Sequence, residues 1–167
     1  MIALPAWAVK NTRRELIGVY SKILVPTDGS ACACAAAEFA SDLLSGKIGE
    51  SVTLLVVVSI AKALKEHPTL NPTQVDEDLV KARLKHEGRQ IIERTRAVFE
   101  DKGLAVDDIL ELCDDPGDRI VEISGKEGFD LIVMGNRGHS LVKELIIGSV
   151  SNKVLQRAQC PVVIYKK

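Results

Sequence analysis

The stretch that decides the fold is GNRGHSLVKELIIGSVS, from Gly135 to Ser151. An apolar run, Leu131 to Met134, leads into it, and apolar residues follow it at helical spacing, at Val150, Val154, Leu155 and Ala158. This pattern predicts a buried strand, a loop with glycines, and a helix that begins at Gly148. Glycines allow positive φ and close backbone approach, and a helix N-terminus offers unpaired N–H groups to an anion such as phosphate. The alternative interpretation is a loop with turn glycines and an ordinary serine cap.

Apolar runs and helical patterns alternate along the rest of the chain. Strands are predicted at residues 22–27, 51–59, 104–113, 130–134 and 161–165. Helices are predicted to begin after Ser30, at Val75, after Asp115 and at Gly148. Such alternation favours a single-domain, three-layer α/β sandwich, with a five-stranded parallel sheet and helices on both faces. A ligand of such a sheet binds at the carboxyl ends of the strands, so the loops after the first and fourth strands are the candidate crevice.

Local signals indicate where several helices begin and end. Ser30 and Asp115 are predicted as N-caps, with Pro116 in the first turn of its helix. Gly46 and Gly49 are predicted to close the first helix. The long second helix is predicted to turn one side toward the core, with Leu79, Ala82, Ile91, Ile92, Thr95, Val98 and Phe99 on that side.

Composition and charge narrow the possible functions. Apolar residues make up 46% of the 167 residues, which is typical of one globular domain. The 22 basic and 23 acidic residues give a formal net charge of −1, so we expect no nucleic-acid partner, which normally needs a basic excess. No apolar run approaches the roughly 20 residues that span a bilayer, so we expect no membrane partner.

The cysteines and the first residues bear on the cellular compartment. Cys32, Cys34, Cys113 and Cys160 contain no Cys-x2-Cys pair and no His cluster accompanies them, so we expect no metal site. We expect them to be small buried hydrophobes in a reducing cytoplasm. In residues 1–21 the basic residues follow a short apolar run, the reverse of a secretory signal, so no signal peptide is expected.

Three segments resemble the universal stress protein family, in its ATP-binding branch. They are KILVPTDGS at 22–30, DLIVMGNRG at 130–138 and GSVSNKVLQRAQCPVVIYKK at 148–167. The spacing Gly-x2-Gly-x9-Gly-Ser resembles the nucleotide-binding signature of that family. The resemblance covers residues 22–167 and leaves 1–21 as an N-terminal extension. It implies a Rossmann-like, adenine nucleotide α-hydrolase-like fold with strand order 3-2-1-4-5.

The resemblance also implies a ligand, which is ATP, or alternatively ADP or AMP, with Mg²⁺ or Mn²⁺ on the phosphates. Gly138, Gly148, Ser149 and Ser151 would surround the phosphates, and Asp28 would contact the adenosine part. The full set of residues implied to bind the nucleotide is Pro26, Thr27, Asp28, Val57, Met134, Gly135, Arg137, Gly138, Gly148, Ser149, Val150 and Ser151.

Two of these residues keep a second interpretation. Asp28 is either an adenosine contact or a turn residue that hydrogen-bonds its own backbone. Arg137 is either a bidentate phosphate donor or a solvated side chain. His139 is predicted to be a surface residue, and the role of Lys143 stays open.

We predict a binding module and assign no catalytic residue. The His-x-Gly-His, Ser-Gly-Gly-x-Asp-Ser and Walker strings are absent from the sequence. Without an acid–base pair, the favoured hypothesis is an ATP-binding regulatory or stress-response protein with slow or no hydrolysis. The alternatives are a slow ATPase or other adenine-nucleotide enzyme, and a nucleotide-free dimeric scaffold.

The composition and expected position of the last strand indicate a homodimer. Strand order 3-2-1-4-5 would place it at a sheet edge, and its residues Val162, Val163, Ile164 and Tyr165 are apolar and β-prone. The same strand from two subunits would pair across a twofold axis, which the family resemblance also implies. Lys166 and Lys167 are the competing signal, because lysines can block edge pairing.

Overall fold

A computed structural model describes residues 20–61, 77–138 and 147–166 of the chain. Its five parallel strands form one sheet in the order β3-β2-β1-β4-β5, which confirms the expected fold and strand order. The strands are β1 (Tyr20–Pro26), β2 (Gly49–Val58), β3 (Asp107–Leu112), β4 (Leu131–Gly135) and β5 (Val162–Tyr165). The helices of the described residues are α1 (Ala31–Ser45), α2 (Glu77–Glu100), α3 (Pro116–Lys126) and α4 (Ser149–Arg157).

Some predictions fall on residues outside the described ranges. These are most of the N-terminal extension, nearly all of the loop predicted over residues 60–72, and the positions of His139 and Lys143. In the described part of the chain, no helix is long and apolar enough to cross a membrane.

The core lies in two layers, one on each face of the sheet. Ile23 and Val25 of β1 pack in the layer that also contains Ile92 and Phe99 of α2, together with the buried alanines of α1. Leu24, between them in sequence, points to the other face and joins the layer that contains residues of α3 and α4. From Ile23 to Pro26, β1 is buried on both faces, and its sequence there is continuously apolar and does not alternate.

Two predicted helix caps are confirmed, and one predicted helix end is wrong. The backbone N–H of Ala33 donates to Ser30 Oγ at the start of α1, and that of Asp118 donates to Asp115 Oδ1 at the start of α3. Gly46 caps the end of α1, but Gly49 is the first residue of β2. A Cβ on Gly49 would lie 2.6 Å from Ile23 Cδ1, so glycine is there for close packing.

The predicted core side of α2 is wrong over its first turns. Leu79 is 68% exposed and Ala82 is exposed as well, whereas Val80 and Leu84 are buried. Val80 and Leu84 are the residues in phase with the buried positions farther along the helix. Gly88 continues that phase, and a Cβ there would overlap Leu110 of β3, so glycine lets α2 lie close against the sheet.

The four cysteines are free thiols and half-buried, where full burial was expected. Burial raises the pKa of the Cys160 thiol to about 11, and the nearby charge of Asp130 adds to the effect. That thiol therefore stays protonated at neutral pH, and thiolate chemistry is disfavoured there.

Candidate functional site

The loops after β1 and β4 meet where the strand order of the sheet reverses. Strand β1 pairs with β2 on one side and with β4 on the other, so the chain winds away from it in both directions. A Cβ on Gly138 would overlap Asp28 Oδ2, which places the carboxylate directly against the glycine loop. The two loops predicted to form one crevice therefore do lie together.

The loop after β1 is held by hydrogen bonds from its own backbone N–H groups to its own side chains. The N–H of Ser30 donates to Asp28 Oδ1 at 3.0 Å, and the N–H of Gly29 donates to Thr27 Oγ1 at 3.2 Å. Gly29 has φ of +75°, a conformation that other residues rarely adopt. Asp28 thus accepts a hydrogen bond from the backbone of its own turn, as one of its two interpretations predicts. Its other carboxylate oxygen, Oδ2, lies against Gly138 of the glycine loop, on the side where the other interpretation places an adenosine contact.

Of the two things that glycine allows, the motif glycines use close backbone approach and not positive φ. Gly148 has φ −68° and ψ 157°, and neither Gly135 nor Gly138 has positive φ. A Cβ on Gly135 would lie 2.8 Å from the backbone carbon of Cys32, so this glycine lets β4 end against the first turn of α1. The N–H of Gly148 donates to Asn136 O at 2.7 Å, which closes the loop at its base.

The first turn of α4 faces this crevice without a side-chain cap. Gly148 is the N-cap and has no side chain to accept from the first N–H groups, which intrahelical bonds leave free. Ser149 is exposed. Ser151 is only 4% exposed, and its hydroxyl donates to Gly135 O at 2.9 Å. The hydrogen of Ser151 is therefore used within the protein, and none of the described residues donates a hydrogen bond to its oxygen.

Arg137 carries a buried donor and lies next to the start of α4. Its side chain is half-buried, and its Nε is buried without a hydrogen-bond partner among the described residues. A Cβ on Gly148 would lie 3.6 Å from Arg137 Cα, so the arginine adjoins the start of α4. An unsatisfied buried donor costs about 1–3 kcal/mol, and more when it is charged. An anion would satisfy it.

Four of the other predicted residues lie at or next to the carboxyl ends of three strands, and Val150 lies in the first turn of α4. Pro26 ends β1 and Thr27 follows it, both buried. Val57 lies near the end of β2 and is half-buried, with its backbone in register with Glu111 of β3. Met134 is 5% exposed and packs in the core layer of α3 and α4. Val150 packs at the edge of that same layer.

An ion-pair cluster joins α4 to the N-terminus of α3. The sequence pattern did not predict it. Lys153 pairs with Asp115 and Asp118 of the α3 N-terminus. Its hydrogen bond to Asp115 lowers the pKa of that carboxyl, with the Asp118 N–H adding to the effect, and raises the pKa of Lys153. A Cβ on Gly117 would lie 2.7 Å from Lys153 Cδ. The glycine in the first turn of α3 was therefore the sequence feature that could have indicated a side chain packed closely there.

The described residues of the crevice offer donors to an anion but do not form a cage for a metal ion. In residues 20–61, 77–138 and 147–166, no three His, Cys, Asp or Glu side chains converge. A divalent cation at this place would therefore depend on ligand oxygens for most of its coordination, as Mg²⁺ commonly does with phosphates.

The sheet order and the crevice at its reversal define a doubly wound α/β domain. The model of the universal stress protein family matches residues 20–166, and the chain belongs to that family.

Individual relatives agree with this assignment. Universal stress protein MJ0577 of Methanocaldococcus jannaschii is 32% identical over 158 residues, which are 89% of this chain and 96% of the relative. The solved structure of MJ0577 superposes with a TM-score of 0.74 at 32% identity, covering 89% of this chain and 97% of that one.

Two structures of liganded universal stress proteins share the fold at lower identity. One is the Archaeoglobus fulgidus protein in complex with dAMP, with a TM-score of 0.58 and 22% identity, covering 89% of this chain and 99% of that one. The other is a complex with cAMP, with a TM-score of 0.61 and 20% identity, covering 88% of this chain and 97% of that one.

Proposed function

We propose that this universal stress protein is a cytoplasmic, ATP-binding regulatory module that works as a homodimer and hydrolyses ATP slowly or not at all. Family membership supports a role in the stress response. Neighbours that carry dAMP and cAMP support an adenine nucleotide as the ligand. ADP or AMP would occupy the same crevice.

The observation that carries this proposal is the Nε of Arg137, which is buried with no hydrogen-bond partner among the described residues, on a residue whose Cα adjoins the start of α4, where no side chain caps the helix. A buried guanidinium nitrogen needs an acceptor, and a helix N-terminus favours negative charge. Phosphate oxygens meet both requirements at once. In this arrangement Gly148 leaves room for the phosphates and Ser149 adds an exposed hydroxyl.

The nucleoside would lie toward β1 and β2. Asp28, with one carboxylate oxygen against Gly138, would accept from the ribose or base, and the backbone of Val57 would read the adenine edge. Met134 and Gly135 would line the crevice between the two ends. Bound Mg²⁺ or Mn²⁺ would neutralise phosphate charge, and the residues present fit a cation held mainly by the nucleotide.

Slow turnover is expected from this site. Phosphoryl transfer needs a positioned nucleophile and charge neutralisation at the leaving oxygen. We assign no base for a water molecule in the described part of the crevice. Purified protein should therefore release phosphate from Mg-ATP at well under about 1 per second, the lower end of ordinary enzyme rates. Phosphate release at tens per second would contradict the binding-module proposal.

Saturating Mg-ATP should raise the melting temperature of the protein. A ligand at about 100 times its Kd stabilises the folded state by ~2.7 kcal/mol. For a domain of this size that is a shift of roughly 5–10 °C, measurable by differential scanning fluorimetry.

Arg137→Gln is the matched variant for this experiment. It removes the charged donor but keeps a long polar side chain, so the melting shift should fall by at least about half. An unmoved melting curve in the wild-type protein, with no nucleotide carried through purification, would contradict the proposal. An undiminished shift in Arg137→Gln would place the phosphates away from this arginine.

A further inference from the structure

A line of hydrogen bonds runs from α2 into the loop after β1. Thr95, fully buried on α2, donates its hydroxyl hydrogen to Ile91 O at 2.9 Å. The Thr27 and Thr95 hydroxyl oxygens are 3.2 Å apart. Because a hydroxyl has one hydrogen and that of Thr95 is already used, Thr27 is the donor between them. Thr27 Oγ1 in turn accepts from the N–H of Gly29 at 3.2 Å.

The same turn of α2 also packs against the loop. A Cβ placed on Gly29 would lie 3.4 Å from Ile91 Cγ2, so this isoleucine lies beside the one residue of the loop that has positive φ and closes the space on that side of it. Ile91 and Thr95 are one helical turn apart and therefore share a face of α2. That face is hydrogen-bonded to Thr27 and lies beside Gly29, the residues on both sides of Asp28.

We propose that Thr95 is a positioning residue for the nucleoside end of the site. The inference rests on the proposed function and deepens it. Thr95 fixes the rotamer of Thr27, Thr27 fixes the amide of Gly29, and the turn so fixed presents Asp28 to the crevice. Thr95, which lies 68 positions after Thr27 in the sequence, thus controls the direction of the Asp28 carboxylate.

Loss of the Thr95 hydroxyl has a definite consequence. Thr27 is 7% exposed, so its hydroxyl hydrogen would be left in the interior without an acceptor. A buried donor without a partner is unfavourable, and the side chain would rotate to find one. Rotation would remove the acceptor from the Gly29 N–H and loosen the turn that carries Asp28.

The test compares Thr95→Val with Thr95→Ser. Valine keeps the shape and loses the hydroxyl, whereas serine keeps the hydroxyl and loses only a methyl group. Calorimetric titration with Mg-ATP and with AMP should show about five- to ten-fold weaker binding of both by Thr95→Val. The ratio of the two affinities should be unchanged, because both ligands share the nucleoside end. Thr95→Ser should bind both within about two-fold of wild type.

Thr53→Val is the matched control. Thr53 is also a buried threonine, but it lies within β2, where it is in register with Leu24 and Asp107, and it should bind like wild type. Hydrogen exchange gives a second readout: the Gly29 amide should exchange at least about three-fold faster in Thr95→Val than in Thr95→Ser.

The outcomes separate this inference from the proposed function. Wild-type protein that bound neither ATP nor AMP would contradict the proposed function. Wild-type protein that bound both, with unchanged affinity and unchanged Gly29 exchange in Thr95→Val, would overturn the positioning role alone. Equal losses in Thr95→Val and Thr95→Ser would also overturn it, because the effect would then come from packing.

Discussion

Gly148→Val should abolish ATP binding and leave the fold intact. The backbone at Gly148, with φ −68° and ψ 157°, is in a region that valine adopts readily. A Cβ there would lie 3.4 Å from Asn136 O, an ordinary contact, so the protein can accept the substitution. The two methyl groups beyond that Cβ would occupy the space in front of α4 that the phosphates need. Calorimetric titration should detect no binding, while circular dichroism stays that of the wild type.

Ser149→Ala is the graded companion to this variant. It should weaken ATP binding by about 1.5–3 kcal/mol, the value of one hydrogen bond to a charged group. The order of effects, wild type above Ser149→Ala above Gly148→Val, would support phosphates at the start of α4. Wild-type affinity in Gly148→Val would mean that the phosphates lie elsewhere.

Ile164→Pro should convert the proposed homodimer to a folded monomer. Strand β5 lies at the sheet edge, with β4 on one side only. Pro161 O accepts from Ile132 N, and Tyr165 O accepts from Asn136 N, so the backbone groups of these two residues face β4. Because backbone groups point to alternate sides along a strand, those of Val162 and Ile164 face the open edge.

This geometry selects the position for the test. A proline at Ile164 removes an outward N–H and is tolerated on an edge strand. A proline at Val163 would remove an N–H that faces β4 and would damage the sheet itself. Ile164→Val keeps both the N–H and the branched side chain, and it should remain dimeric.

Light scattering and circular dichroism read out this prediction. We expect wild type and Ile164→Val to have the mass of a dimer, and Ile164→Pro to have the mass of a folded monomer. A wild-type protein that is monomeric at micromolar concentration would contradict the dimer. An Ile164→Pro protein that remains dimeric would place the interface on another surface.

Local chemistry was enough to predict much of the fold. Ser30 and Asp115 could be identified as caps because a short polar side chain just before an apolar periodic segment can accept a hydrogen bond from a free N–H group of the first helical turn. The uninterrupted apolar run from Ile23 to Val25 in β1 indicated a strand buried on both faces, as the two core layers confirm. The strand order came from family resemblance, since alternation of strands and helices leaves several orders open.

The errors and omissions have separate physical causes. Leu79 was assigned to the core because it is apolar, but it lies out of phase with the positions that face the sheet. The motif glycines allow positive φ, but Gly148 has φ −68°, and its proposed role depends on the space in front of it. The bonds of Ser151 to Gly135 and of Thr27 to Thr95 join distant segments, and local spacing carries no signal for such contacts.

The most direct test of the central claim is a calorimetric titration of Mg-ATP into protein freed of nucleotide. A portion of the purified protein is first denatured, and its supernatant is assayed for ATP, ADP and AMP. This shows how much nucleotide the protein carried through purification. We predict one nucleotide bound per chain, with Arg137→Gln binding more weakly than wild type. No nucleotide in the supernatant, together with no heat of binding up to about 1 mM ATP, would contradict the account, because any remaining affinity would be weaker than about −4 kcal/mol.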